Sequence, residues 1–276
     1  MEYGSKTFDY VILGGGSAGC VMANRLSASG RYEVLLVEAG KDFPPGAEPA
    51  DILDSYPMGA SFNPAYHWKN LSVRLGATAS NSGPPRSPVF LEQARVIGGG
   101  SSINAQMANR GAPQDYDEWE TLGAHGWNWE KVLPYFRKLE HDQDIRDDFH
   151  GQHGPVAIRR VPRENWPGFA RRVSEVLNDQ GLKPLSDQNG YFEDGWFACT
   201  ISNQNETRVS ASMGYLDAGV RARKNLYILS ETVAEKLLFE GRKVSSASVR
   251  GKEGPLTLLG KHFIISTGAL HTPALL

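Results

Sequence analysis

Residues 8–40, FDYVILGGGSAGCVMANRLSASGRYEVLLVEAG, limit the fold of this chain more than any other stretch. Phe8 to Leu13 is a short apolar run, suited to a strand buried on both faces of a parallel sheet. Gly14, Gly16 and Gly19 follow at G-x-G-x-x-G spacing, where glycines permit a tight turn, let backbone approach a pyrophosphate and allow close helix–strand packing. Ser17 and Ala18 then fall at the start of a helix, where free N–H groups and the dipole favour anions. Ala18, Val21, Met22 and Leu26 are the expected apolar face of that helix, and Cys20 is read as a packed small hydrophobe. Glu33 to Val37 forms a second strand. Glu38, with Ala39 after it, lies about 20 residues past the last glycine, where an acid accepts from ribose hydroxyls. Strand, turn, helix, strand and acid together predict a dinucleotide site; a glycine turn without ligand is the alternative.

The balance of charge removes other classes. The chain of 276 residues carries 29 Lys+Arg against 31 Asp+Glu, a formal net charge of -2, without a basic block. No nucleic-acid partner is expected. Cys20 and Cys199 can form neither a disulfide framework nor a metal pair, so no metal is expected and a reducing compartment is favoured. The N-terminus lacks a charged region followed by an apolar core, and the first apolar run is broken by Gly14 to Gly16. Neither a signal peptide nor a membrane span is read there, which gives a cytoplasmic expectation.

Between Lys41 and Pro88 no period is sustained, as in a long functional or ligand-covering loop. Trp68 in this stretch is a candidate to cover part of a cofactor; His67 reads as a satisfied core or surface residue. Residues 92–119, EQARVIGGGSSINAQMANRGAPQDYDEW, hold a second glycine loop. Gly98, Gly99 and Gly100, then Ser101, Ser102 and Asn104, make a backbone able to press against a planar or phosphorylated ligand. A surface turn is the plainer reading, but Val96, Ile97, Ile103 and Met107 place it between buried elements.

Further along, Asp115 to Leu139 reads as aromatic-rich helical segments whose Trp119, Trp127 and Trp129 are expected in a core. EHDQDIRDDFHGQHGP reads as a solvated loop or domain crossover; His150 and His153 lack a third metal ligand, so a structural turn is expected. Val156 to Val161 is a strand, and Pro167 to Gln180 a helix with Phe169, Val173, Val176 and Leu177 on one face. Asp187 to Asn205, with Tyr191, Phe192, Trp196 and Phe197, is the candidate substrate-pocket wall. Ser210 caps a helix holding Tyr215, Leu216 and Val220. Asn225 to Ile228 begins a strand, and a meander comes next: Val233 to Phe239, Val244 to Val249, Leu256 to Leu259, His262 to Ile265.

Ala94-Arg95-x-Ile97-Gly98-Gly99-Gly100-Ser101-x-Ile103-Asn104, with Ala108, Gly111 and Asp117 at their offsets, resembles the first signature of the glucose-methanol-choline (GMC) flavin oxidoreductases. The resemblance implies FAD, with Glu38 on the adenosine ribose and Gly14 to Gly19 on the pyrophosphate. It places the Gly98 to Asn104 loop beside the flavin, with Arg95 and Ala105 at its flanks. Val233 would meet adenine through its backbone, and Thr267 and Gly268 would close over the pyrophosphate from the other side. Some members attach flavin through a histidine just before the motif asparagine; Ile103 stands there, so non-covalent FAD is implied.

The implied fold is α/β: a Rossmann-like FAD-binding domain with a β-meander, plus the first part of an α+β substrate domain, its C-terminal part missing. The expected division is 1–155 and 210–276 for the FAD domain and 156–209 for the substrate domain. The family's members oxidise an alcohol by passing its α-carbon hydride to flavin N5 while a histidine takes the hydroxyl proton. That base is expected beyond Leu276, so no catalytic residue is assigned here and His271 is not read as a base. DYDEW, LPYF and DQNGYFEDGWF resemble members acting on aromatic or furan alcohols, with choline-oxidising members next. A small primary alcohol and O2 or another electron acceptor are the implied partners. Alternatives are a non-catalytic FAD- or ADP-binding fragment, half of an enzyme completed by a separate C-terminal chain, or an NAD-dependent dehydrogenase.

Overall fold

The computed structural model describes residues 3–74 and 87–276. The part of the expected 41–88 loop at residues 75–86 lies outside the described residues. Two compact units form, one from Met1–Asn104 with Ser210–Leu276, the other from Ala105–Val209. The expected boundary at 155/156 falls inside the second unit.

The first unit starts as its sequence dictates. Strand β1 (Thr7–Leu13) feeds through Gly14 to Gly16 into helix α1 (Ser17–Ser27), and β2 (Val34–Val37) comes after it. Phe8, Val11, Ile12, Leu13 and Val34 to Leu36 are fully buried. Each such side chain contributes roughly 1.5–3 kcal/mol on leaving water. The face of α1 differs from the expected one: Gly19, Cys20, Ala23, Asn24 and Ser27 are buried, while Val21, Met22 and Leu26 are half-buried and Ala18 is exposed. Closeness explains it, since a Cβ on Gly19 would lie 1.9 Å from the carbonyl oxygen of Gly14. A helix pressed this near its strand can turn only small residues inward. Short helical turns at Ala50–Leu53 and Met58–Phe62 set Ile52 and Ala60 in a smaller core with Tyr66, Val96 and Ile103.

The second unit contains α2 (Pro113–Thr121), α3 (Trp129–Leu139), β3 (Glu140–Asp142), β4 (Val156–Arg160), α4 (Gly168–Asp179) and β5 (Thr200–Ile201). β3 runs parallel to β4, and β4 antiparallel to β5. The charged stretch 140–155 is therefore a solvated loop only in its middle, where residues 143–148 are mostly exposed. Glu140, Asp142 and His150 are buried, because arginines neutralise the carboxylates on the spot. The tryptophan cluster is no core either: Trp119 and Trp127 are about half exposed, in edge-on and tilted contact with Tyr116 and each other. Phe169, Val173 and Val176 of α4 are likewise exposed, and Ser174 is that helix's buried residue. In the candidate pocket wall, Tyr191 is exposed, Phe192 meets Trp129 edge-on and the indole N–H of Trp196 donates to Asn178.

The chain then returns to the first unit. Ser210 caps α5 (Ala211–Tyr215) and Asp217 caps α6 (Ala218–Arg221), so the expected single helix is two, divided at Leu216. Next come β6 (Leu226–Leu229), β7 (Val233–Glu240), β8 (Lys243–Gly251), β9 (Gly254–Ile265) and α7 (Gly268–Leu275). They complete a six-stranded sheet ordered β6-β2-β1-β9-β8-β7, parallel as far as β9 and antiparallel beyond it. The expected break between Leu259 and His262 is absent. Gly260 continues β9 because it passes Val11, where a Cβ would come within 2.8 Å of the valine methyl. Registers Leu13↔Val37, Leu13↔Ile265 and Val37↔Leu229 level the carboxyl ends of these parallel strands. The segments leaving those ends are thus gathered on one rim, the usual ligand side of an open α/β sheet.

Candidate cofactor site

A cavity of about 760 Å³ opens at that rim. Gly14, Gly16, Ser17 and Ala18 form one wall; Glu38, Ala39 and Trp68 a second; Gly99 and Gly100 a third. Val233, Thr267 and Gly268 close the remaining side. The structure thus brings together residues from the two glycine motifs, the end of β2, the first meander strand and the start of α7.

The glycines have separate jobs. Gly14, at φ +102°, touches the turn after β9, where a Cβ would meet the Ser266 carbonyl at 2.5 Å. A Cβ on Gly99 would come within 2.8 Å of the Gly16 Cα, and Gly98 N–H donates to Gly15 O at 2.7 Å. The two motifs are packed backbone against backbone. By contrast, a Cβ on Gly100 would project into open space. Helix α1 has no side-chain N-cap, so the first N–H groups behind Gly16 remain available at the positive end of the helix dipole.

Glu38 is 7 % exposed and receives the N–H of Gly15 on Oε2 at 2.8 Å and that of Gly40 on Oε1 at 2.7 Å. Burial pushes its pKa up, against the pull of the Gly40 and Gly15 N–H groups and of Arg95. Each carboxylate oxygen retains acceptor capacity after one hydrogen bond. Arg95 supports the wall: its Nε donates to Ala39 O at 3.0 Å and its guanidinium lies 5.0 Å from the Trp68 ring centre.

Gly19, Gly98 and Ser101 also support the cavity. The Ser101 hydroxyl donates to Gly98 O and accepts from Ala211 N–H at 2.9 Å. Asn104 N–H donates to Gly100 O, and Ala105 begins the second unit. On the closing side, Thr267 and Thr272 hydroxyls are 3.0 Å apart, and Thr232 N–H donates to Glu38 O.

Some contributors escape the sequence reading. Gly15 and Gly40 are held by contact, since a Cβ on Gly40 would sit 2.1 Å from the Arg95 carbonyl oxygen. The glycine directly after Glu38-Ala39 was the available signal for it. His271 lines the cavity and lies against Trp68, ring centres 4.4 Å apart; no local pattern announces that long-range stack. The other histidines are elsewhere: His67 bonds Ser61 O, His150 lies within the second unit, and His125, His141, His153 and His262 are exposed.

A parallel sheet continued by an antiparallel meander, with a glycine-walled cavity at its carboxyl rim, defines a Rossmann-type α/β fold. The chain belongs to the GMC oxidoreductase family, whose profile matches residues 8–276. It is 45% identical over 273 residues to the 5-(hydroxymethyl)furfural oxidase of Methylovorus sp. (strain MP688), covering 98% of this chain and 51% of that protein. It is 34% identical over 278 residues to the oxygen-dependent choline dehydrogenase of Staphylococcus saprophyticus subsp. saprophyticus, covering 98% and 47%. An FAD-dependent oxidoreductase from Chaetomium thermophilum superposes with a TM-score of 0.84 at 28% identity, over 98% of this chain and 47% of that one. The chain spans about half the length of the curated relatives it matches. Its homologues are flavoprotein oxidoreductases. No helix among the described residues is long and apolar enough to cross a membrane.

Proposed function

We propose that these residues form the non-covalent FAD cradle of an enzyme that oxidises a primary alcohol to an aldehyde. The observation that carries the reading is the convergence of both glycine motifs and Glu38 on one cavity of about 760 Å³, within the size range of ligand sites. The residues suit the group. Gly16 and Gly100 have room where a side chain would intrude on a ligand. Ser17 and Ala18 present N–H groups to an anionic pyrophosphate. Glu38 accepts from ribose hydroxyls, Val233 offers backbone to an adenine, and Trp68 covers one side. Bound FAD supplies a two-electron acceptor for the hydride on the alcohol's α-carbon.

Ile103 is 8% exposed and carries no nucleophile, which supports a dissociable cofactor. A furan or aromatic alcohol is the favoured substrate class, because the relative named for 5-(hydroxymethyl)furfural shares 45% of its aligned residues. Choline is the second candidate. O2 or another acceptor takes the electrons onward. No described histidine is assigned as the base for the hydroxyl proton: His271 lines the cavity but lies against Trp68, and the other six are elsewhere. Free Cys20 and Cys199 fit a reducing, cytoplasmic setting.

Anaerobic mixing of the full-length, FAD-loaded protein with 5-(hydroxymethyl)furfural tests this directly. Bleaching of the flavin absorbance with aldehyde formation is expected. Bound flavin that stays oxidised with every primary alcohol favours a non-catalytic FAD-binding role, and nicotinamide binding without flavin binding overturns the proposal.

A further inference from the structure

In the second unit, Arg110, Glu140, Asp142, His150, Arg160 and Asp187 meet out of water. Glu140, Asp142 and His150 are at most 4 % exposed, and the side chains of Arg110, Arg160 and Asp187 at most 8 %. Arg110 Nη2 reaches Glu140 Oε1 at 2.6 Å. Arg160 Nη1 donates to both Asp142 oxygens at 2.9 Å, and its Nη2 to Asp187 Oδ1. His150 sits among the carboxylates: Nδ1 is 3.1 Å from Glu140 Oε1 and 3.0 Å from Asp142 Oδ2, and Nε2 is 3.2 Å from Asp187 Oδ2. The Nε2 contact is an ion-pair approach rather than an aligned hydrogen bond.

Charge counting decides the state of the ring. The carboxylates of Glu140, Asp142 and Asp187 face the guanidiniums of Arg110 and Arg160, leaving one negative charge unmatched. A neutral imidazole would also turn a bare nitrogen lone pair toward a carboxylate oxygen. Both difficulties vanish when both ring nitrogens carry protons. Glu140, Asp142 and His150 offer ligand atoms within 4.8 Å of one another, a spacing that suits a metal ion. The arginine N–H groups already occupy those oxygens, however, and the ring proton supplies the missing charge.

We infer that His150 is a standing imidazolium whose proton takes the place of a metal ion, latching the loop 143–150 onto the β3–β4 strand pair. The loop is tied at the same points: Asp142 Oδ1 accepts from Asp144 and Ile145 N–H, and Glu140 Oε1 from Gly151 N–H. Asp147, 3.9 Å from Nε2, and Asp144, 3.7 Å from Arg160, also approach the cluster, and Arg137, Lys138, Arg146 and His153 line the cleft that His150 borders. Burial works against the charge, but the carboxylates of Asp142, Asp187 and Glu140 that face the ring overcome it and push His150 up to about 11. A raised folded-state pKa contributes stability that is whole below the ordinary histidine value. It is lost as pH climbs to the folded-state value, and in that window unfolding releases a proton.

Nitrogen-15 spectra of the ring in the unaltered protein read the state directly. Two protonated nitrogens at pH 8 are expected; one protonated and one bare nitrogen at pH 7 overturn the inference. Between about pH 7 and 11 the folding equilibrium should fall by a further ~10-fold per pH unit relative to a variant without the histidine. That variant is designed for balance. His150→Gln alone strands one negative charge, whereas His150→Gln with Asp142→Asn restores neutrality and should fold more stably than the single change. A double variant no more stable than the single one, or a melting temperature raised by added Zn²⁺ in the unaltered protein, also counts against the inference.

Discussion

Oε2 of Glu38 accepts the N–H of Gly15 at 2.8 Å, tying the acid that ends β2 to the middle of the turn that ends β1. The same carboxylate takes Gly40 N–H on its other oxygen, so it holds two loops as well as facing the cavity. Glu38→Gln turns an amide N–H₂ toward one of these donors. Loss of one charge-assisted hydrogen bond is expected to destabilise the protein by about 1.5–3 kcal/mol. FAD affinity should fall as well, read by thermal melts and by flavin fluorescence titration. A variant that binds FAD as tightly as the parent would remove Glu38 from the cofactor contacts.

Glycine substitutions separate packing from ligand approach. Gly19→Ala places a methyl 1.9 Å from Gly14 O, so helix and strand must part, and a fall in melting temperature with or without FAD is expected. Gly100→Ala meets nothing in the protein. It should melt like the parent yet bind FAD more weakly, the pairing expected of a residue whose empty side is filled by ligand.

Trp68 contacts both His271 and Arg95. Removing one ring from such a stack costs about 0.5–1.5 kcal/mol. His271→Ala should therefore leave the fold intact and raise the FAD dissociation constant ~2–10-fold, with Trp68→Ala costing more. Unchanged affinity in both variants would make the stack a structural contact alone.

The buried acids of the second unit set an acid limit. Glu140, Asp142 and Asp187 titrate below the usual carboxylate range despite desolvation, chiefly through His150, with Arg110 or Arg160 assisting. Depressed folded-state values mean that their contribution is complete above the unfolded range of about 4 and is lost as pH falls below it. Acid titration followed by circular dichroism should show cooperative loss below about pH 4. In Arg160→Ala, which leaves Asp142 and Asp187 with His150 but without their shared guanidinium, the loss should begin at higher pH. Removing that buried partner costs about 3–5 kcal/mol. Coincident acid transitions in the two proteins would contradict this.

Local pattern was a reliable guide where backbone made the structure. β1, the glycine turn, α1 and β2 were legible because hydrophobic period, φ freedom and helix polarity are written in adjacent residues. The buried face of α1 was not, since it depends on the distance to Gly14 rather than on which residues are apolar. Continuity through Gly260 was hidden for a related reason: a glycine kept for contact with Val11 reads like a glycine kept for a turn. The stretch 140–155 misled most, because the groups its charges pair with, Arg110, Arg160 and Asp187, all lie outside it. In the cavity, Glu38 and the glycines announced themselves by spacing. His271 did not, because its meeting with Trp68, 203 residues earlier in the chain, is made only in the folded unit.

β9 also sets the order in which the molecule can be made. Its final residues pair with β1, Phe8 opposite Gly260 and Leu13 opposite Ile265, while the second unit is contiguous at 105–209. On the ribosome, β1 therefore emerges roughly tens of seconds before its neighbour exists, at synthesis rates of ~5–20 residues per second. During that interval one edge of an apolar strand has no mate, and the inserted unit can fold first. The larger unit is, by its topology, the last to close and the one that most needs protection while it waits.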